Sequence, residues 1–324
     1  MMEKWVFVIL DVITLGDALI SMYPMKEGAL RFCPQFERKA GGAELNFAIG
    51  CARLGLKPGW ISKLGNDDFG RYIFSFARGE GVDVTHVGFV NNYSTSVYFR
   101  EVLTDGASKS FYYRENSPTE ALSEANFESA YFKEAKVFHV TGVFPSIHRR
   151  NQELVQHAIQ LAKNNGLLIS FDPNIRLKMW TMEEAKSFTE SILPDVDILL
   201  AGEEEAEMLL GKMPVYDYIA KFHQYGVKQV VIKRSAEGAV GSDQQTIFDA
   251  APFKPRAVVD TVGAGDGFDA GFISALLKGR SFEQALRFAN AVGSMVVSVK
   301  GDNEGLPYYE EVQAVLGELE LVDR

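Results

Sequence analysis

The sequence predicts an α/β fold: a doubly wound, mainly parallel sheet with helices on both faces, plus a small β-sheet lid. Three observations lead there. Short β-rich runs alternate with helical patterns along most of the chain, which implies parallel strands joined by crossover helices. Two stretches, about 18–39 and 86–114, break that rhythm with strands and turns but no helix. A glycine-rich run at 260–272 leads into an apolar helix late in the chain.

The N-terminus carries a short apolar stretch, Trp5 to Leu10, which Asp11 interrupts. It is too short to cross a bilayer, and no small-residue cleavage site follows. A first β-strand preceded by a few extra residues, in a cytoplasmic protein, is expected. Residues 12–16, 136–141, 167–172, 196–201 and 228–233 read as strands. Residues 147–165, 181–193 and 203–210 read as helices; Thr181 and Glu184 have the spacing of a capping box. In 96–103 and 108–114 aromatic and charged residues mix in a pattern suited to one exposed sheet face, so the two irregular stretches are expected to build one lid. Ligands of such sheets sit outside the carboxyl ends of the strands.

At 324 residues the chain could form one large domain or two ordinary ones. No repeat and no Pro/Ser linker divides it. The net charge of −10 argues against general nucleic-acid binding, which needs a basic footprint. Cys33 and Cys51 lack a CxxC spacing, so neither a disulfide framework nor a zinc site is indicated.

The run DTVGAGDGFDAGF, residues 260–272, carries most of the chemistry. Gly263, Ala264 and Gly265 leave their backbone open to a ligand, and the bare N–H groups of a helix start favour an anion. Asp266 would repel a phosphate there, unless it takes a proton from a hydroxyl while the amides hold a migrating phosphoryl group. The competing reading is a glycine-rich helix start whose acid merely suits the dipole. In GGAELNFAIGCARLG, residues 41–55, Gly41 and Gly42 permit close backbone approach. Asn46, in the first helical turn, offers both a donor and an acceptor to sugar hydroxyls. Asp17, at the end of the first strand, could accept hydroxyl bonds or simply serve the turn. On the lid, Tyr98, Tyr112 and Arg114 are candidates: 112 and 114 share a face by alternation, and Arg114 could clamp a carboxylate. Packing among lid residues is the alternative. Arg176, in SFDPNIRLKMW at 170–180, adds a second positive group.

Together the 41–55 and 260–272 segments resemble the two signatures of the PfkB, or ribokinase, family of carbohydrate kinases, and the resemblance runs from Val12 to about Tyr308. It implies a ribokinase-like fold, with 1–324 as a single kinase domain whose β lid covers the sugar. It also implies ATP and Mg²⁺. The YYR at 112–114 and the SFDPNIR run look like the branch that phosphorylates 2-keto-3-deoxygluconate, an acid sugar; ENSPTEAL at 115–122 leans toward related sugar kinases. By resemblance Glu205 is the magnesium-side acid, acting through water, although Gly202 stands where the family usually has Asn. Three glutamates at a helix start would also suit the dipole. Lys233, Ser235 and Gly238 are expected along the ATP phosphates or ribose, with Ser235 where a glycine is common, and Asn290 near the adenine. Asn290 could instead be a helix polar residue turned to solvent. Asp260 is expected to fix the catalytic loop or to mark a monovalent-cation region, for example for K⁺. KGDNEGLP at 300–307 closes the site.

The expected reaction is ATP-dependent phosphorylation of a primary sugar hydroxyl, 2-keto-3-deoxygluconate giving its 6-phosphate. A fructokinase or another kinase of the family is the alternative, and an idle sugar-binding protein is a further one. No Walker A motif occurs, and the glycine run comes too late for a Rossmann dehydrogenase. An exposed lid sheet invites pairing between subunits, so a homo-oligomer, such as a dimer through the lid, is also expected.

Overall fold

The computed structural model describes residues 10–103 and 108–320. Of the apolar stretch Trp5 to Leu10 only Leu10 falls among them, and the lid residues 104–107 also lie outside the described residues.

The chain opens with β1 (Val12–Leu15), lid strands β2 (Leu19–Pro24) and β3 (Phe36–Gly41), helix α1 (Ala43–Arg53), β4 (Pro58–Gly65), α2 (Asp68–Gly79) and β5 (Val87–Val90). Lid strands β6 (Ser96–Val102) and β7 (Ser108–Tyr113) follow, then α3 (Ser129–Phe132), β8 (Val137–Thr141), α4 (Val143–Ile147) and α5 (Arg149–Asn164). The second half runs β9 (Leu168–Asp172), α6 (Met182–Ile192), β10 (Ile198–Gly202), α7 (Glu203–Leu210), α8 (Val215–Gln224) and β11 (Gln229–Lys233). It ends with β12 (Ala239–Ser242), β13 (Ile247–Ala250), α9 (Ala264–Leu277), α10 (Phe282–Val296) and α11 (Tyr309–Val315).

Nine strands form one sheet in the order β13-β12-β11-β10-β9-β8-β1-β4-β5. Every pairing from β11 to β5 is parallel, and β12 and β13 add an antiparallel hairpin at one edge. Alternation along the strands feeds two cores, one on each face. Ile198 and Leu200 join α1, α2, α9, α10 and α11 on one side, while Leu199 and Ala201 join α5, α6, α7 and α8 on the other. The expected doubly wound sheet is therefore present. Among the described residues no helix is long and apolar enough to cross a membrane.

Four strands, in the order β3-β2-β6-β7, make the lid. One boundary differs from expectation. The second lid segment was expected from about residue 86, but β5 pairs in parallel with β4, Ser62 opposite Val87, and so extends the main sheet. The lid strand begins only at Ser96. The helix expected over 147–165 is also interrupted: His148 is extended, with φ −154° and ψ 140°, and its ring Nδ1 caps α5 by accepting from Arg150 N–H at 3.1 Å. At α6 the Thr181–Glu184 capping box forms, and α7 has the bounds the sequence suggested.

Candidate active site

The loop from β13 to α9 ends in Gly263, whose φ of +76° lies in the left-handed region and whose absent Cβ would stand 2.0 Å from the Asp302 carbonyl oxygen. Only glycine fits. The helix then starts at Ala264, and its first helical bond is Gly267 N–H to Gly263 O at 2.8 Å. The amides of Gly265 and Asp266 precede that bond and are the orphan donors of a helix start. Ala264 N–H leans back on Thr261 O at 3.4 Å.

Asp266 points into the space between this helix and α1. Its Oδ2 accepts from Asn46 Nδ2 at 2.8 Å, and its Oδ1 from Asn174 Nδ2 at 3.4 Å. Burial pushes the carboxyl up to about 6, opposed by the Asn46 bond, raised further by Asp172 and lowered by Arg176 and Lys233. A proton acceptor poised near neutrality suits a general base. The amide of Asn46 is oriented in turn, because its Oδ1 accepts from Asn303 Nδ2 at 3.3 Å.

A cavity of about 1240 Å³ runs from the lid to α10 across this point. All the expected site residues line it except Asp17, Gly41 and Asp260. Asp17 lies behind the wall, 1% exposed, with Oδ2 2.9 Å from Arg114 Nη2. Burial raises its pKa and the Arg114 charge opposes that. Arg114 itself faces the cavity beside Tyr112, and Arg176 reaches it from the exposed loop after β9. Tyr98 lines the wall too, but its hydroxyl is already given to Asp302 at 2.7 Å. Gly41 abuts the same Asp302 carboxylate.

At the other end, Lys233 bridges Asp172 and Asp269, each at 3.1 Å. Burial alone would lower its pKa; the two carboxylates win and hold the ammonium charged. Ser235 adopts φ +50°, the conformation that explains a preference for glycine at this position. Asn290 is not turned to solvent: it is 8% exposed and donates to the carbonyls of Ala250 and Ala251 at 2.9 and 3.2 Å, tying α10 to the end of β13.

Both oxygens of Glu205 accept main-chain N–H groups, from Gly202 at 2.8 Å and Ile175 at 2.9 Å, so this acid builds the β10–α7 turn, and it also lines the cavity. Among the described residues no group of three His, Cys, Asp or Glu could cage a metal ion. Asp260, expected to fix the catalytic loop or to mark a monovalent-cation region, accepts from Val262 N–H of that loop at 3.2 Å and pairs with a lid side chain. Arg100 Nη1 lies 2.9 and 3.0 Å from its two oxygens, and Tyr23 OH donates to it at 2.8 Å.

Sequence reasoning missed Arg100, Tyr23, Asp269 and Asp302, because their partners lie far along the chain. It also missed Glu44, fully buried beside Gly16, which burial pushes up to about 7 although Thr141 Oγ1 donates to it at 2.6 Å.

A helix start with its own proton acceptor suits phosphoryl transfer to a hydroxyl, and comparison with known proteins agrees. The chain belongs to the pfkB family of carbohydrate kinases, whose model matches residues 10–308. It is 35% identical to a 2-dehydro-3-deoxygluconokinase of Bacillus subtilis (strain 168), over 95% of each chain. It is 32% identical to fructokinase-1 of Oryza sativa subsp. japonica, covering 93% of this chain and 96% of that one. Arabidopsis thaliana ribokinase, solved with ribose and ATP, superposes with a TM-score of 0.79 at 26% identity, covering 95% of this chain and 98% of its own.

Proposed function

We propose that this kinase transfers the γ-phosphoryl group of ATP to a primary hydroxyl of an acid sugar, 2-keto-3-deoxygluconate (2-dehydro-3-deoxygluconate), giving its 6-phosphate. The observation that carries this reading is the placement of Asp266, at an anion-binding helix start, in one cavity with Arg114 and Arg176. Asp266 takes the hydroxyl proton as the sugar oxygen bonds to the γ-phosphorus; the bond to the β-phosphate oxygen breaks and ADP leaves. Amides of Gly265 and Asp266 receive the charge on the group in transit, aided by Ala264. Lys233, Ser235, Gly238 and Asn290 line the nucleotide half of the cavity, and Gly42, Asn46, Tyr98 and Tyr112 line the sugar half. Asp17 acts on the sugar by orienting Arg114. Magnesium, when bound, would neutralise phosphate charge; Glu205, which lines the cavity, would reach it through water, since among the described residues no group of three His, Cys, Asp or Glu could cage it. The lid excludes water from the transfer. We take 1–324 as one domain working in the cytoplasm. Pairing of two chains along the lid edge β7 would cover the exposed Phe111 and Tyr113.

One observation favours a second reading, a neutral ketose such as fructose: Asp17 already partly neutralises Arg114. Phosphoryl transfer measured by ADP release over a panel of neutral and acidic sugars decides between them. The acid sugar should have the highest kcat/KM. A neutral sugar above it would replace the substrate, and no sugar-dependent ADP release at all would refute the reaction.

A further inference from the structure

Between the end of β13 and the start of α9 the chain runs through residues 251–263 without a helix or strand, and Val258 and Val259 within it are 71% and 56% exposed. Asp260 is where this loop turns inward. Its carboxylate accepts from Arg100 Nη1 on both oxygens, from Tyr23 OH, and from the main-chain N–H groups of Val262 at 3.2 Å and Gly301 at 3.3 Å. Main-chain bonds from Val259 and Asp260 to Val297 O add to the anchor. Arg100 and Tyr23 stand on lid strands β6 and β2, and the side chains of the ion pair are 7% and 6% exposed. A second lid contact runs beside it: Tyr98 donates to Asp302 at 2.7 Å and the Tyr23 hydroxyl lies 3.2 Å from the same carboxylate, and the Asp302 carbonyl oxygen is the atom that crowds Gly263. Taking a guanidinium and a carboxylate out of water is costly unless the remaining donors and acceptors are met, and breaking such a pair costs more than the pair contributes.

We infer that Arg100 is a positioning residue for phosphoryl transfer: from the lid it pins Asp260, and so sets the amides of 264–266, as a built-in cation. The inference rests on the proposed role of that loop. Lid and anion loop then form one mechanical unit, and turnover needs no added monovalent cation, because a guanidinium already stands beside Asp260.

The test combines kinetics with hydrogen exchange on the full chain. In Arg100→Ala, kcat should fall about 10²-fold, the scale of a small misplacement of reacting groups, with a much smaller change in the sugar KM. Guanidinium or potassium ions should restore part of the variant's turnover and leave the wild type unaffected. Amides 262–266 should exchange faster in the variant while those of α5 keep their wild-type rates. If Arg100→Ala is poorly folded, Arg100→Lys serves: it keeps the charge without the fork and should lose less. Wild-type kcat, or unchanged exchange at 262–266, overturns the inference. An inactive wild type would sink the proposed reaction alone, since the exchange measurement still decides about Arg100.

Discussion

Asn46 and Asp266 lie 220 positions apart in sequence, and the amide of the first donates to the carboxylate of the second at 2.8 Å. This contact joins the sugar-side helix α1 to the phosphate-side helix α9. It keeps a buried carboxyl within reach of ionisation, because a donor on the charged form offsets part of the desolvation. Asn303 fixes which end of the Asn46 amide faces the acid.

Replacing Asp266 by Asn keeps the shape of the side chain and removes its basicity. We expect kcat to fall at least ~10²-fold, while calorimetric affinities for ATP and sugar stay near wild type. Near-normal turnover would exclude Asp266 as the base.

The pH profile follows from the same group. With its carboxyl pushed up to about 6, Asp266 is protonated and idle below that value, so kcat/KM should decline toward acid below about pH 6. Removing the Asn46 donor, in Asn46→Leu, raises the pKa further, and the acid limb should move to higher pH. An acid limb that stays in place would contradict the pairing.

The two arginines should separate. A hydrogen bond to a charged group contributes roughly 1.5–3 kcal/mol, so Arg114→Ala and Arg176→Ala should each cost the acid sugar about 10–150-fold in kcat/KM and a neutral ketose much less. Arg114→Ala also strands the buried Asp17, so its Tm should drop; Arg176, exposed and outside any ion pair among the described residues, should leave Tm unchanged. Equal losses on both sugars would remove the carboxylate-clamp role.

Stability should fall as pH rises through the range where buried acids ionise. Glu44 and Asp302 are both pushed to about 7, largely by burial. A folded state that holds protons more tightly than the unfolded chain loses stability from the ordinary carboxylate values, 3.8 for Asp302 and 4.5 for Glu44, up to about 7. Glu44→Gln should lack its share, on the order of 3 kcal/mol for a shift of this size. Urea unfolding at pH 5 and pH 8 measures it; an equal pH dependence in both proteins would show that Glu44 ionises freely when folded.

Much of the fold was legible because alternation and caps are local. The strand at 228–233 and the helix at 203–210 appear within a residue of the expected bounds. The errors have physical causes. Val87–Val90 looks like its lid neighbours, and only its pairing with Ser62–Gly65 assigns it to the main sheet. The break at His148 was hidden because a histidine ring takes the place of the usual Ser, Thr or Asp cap. In the site, glycines and the acid beside them could be read directly, since their backbone demands are local. Arg100 could not, because its partner Asp260 is 160 positions away and nothing near Arg100 announces it.

Tyr23 and Tyr98 rest their hydroxyls on Asp302. During synthesis those tyrosines leave the ribosome long before that aspartate does, so the nascent lid must wait with polar sockets unfilled. Its strands can pair early, but its final seating waits until residue 302 has emerged and can lock the roof onto the floor.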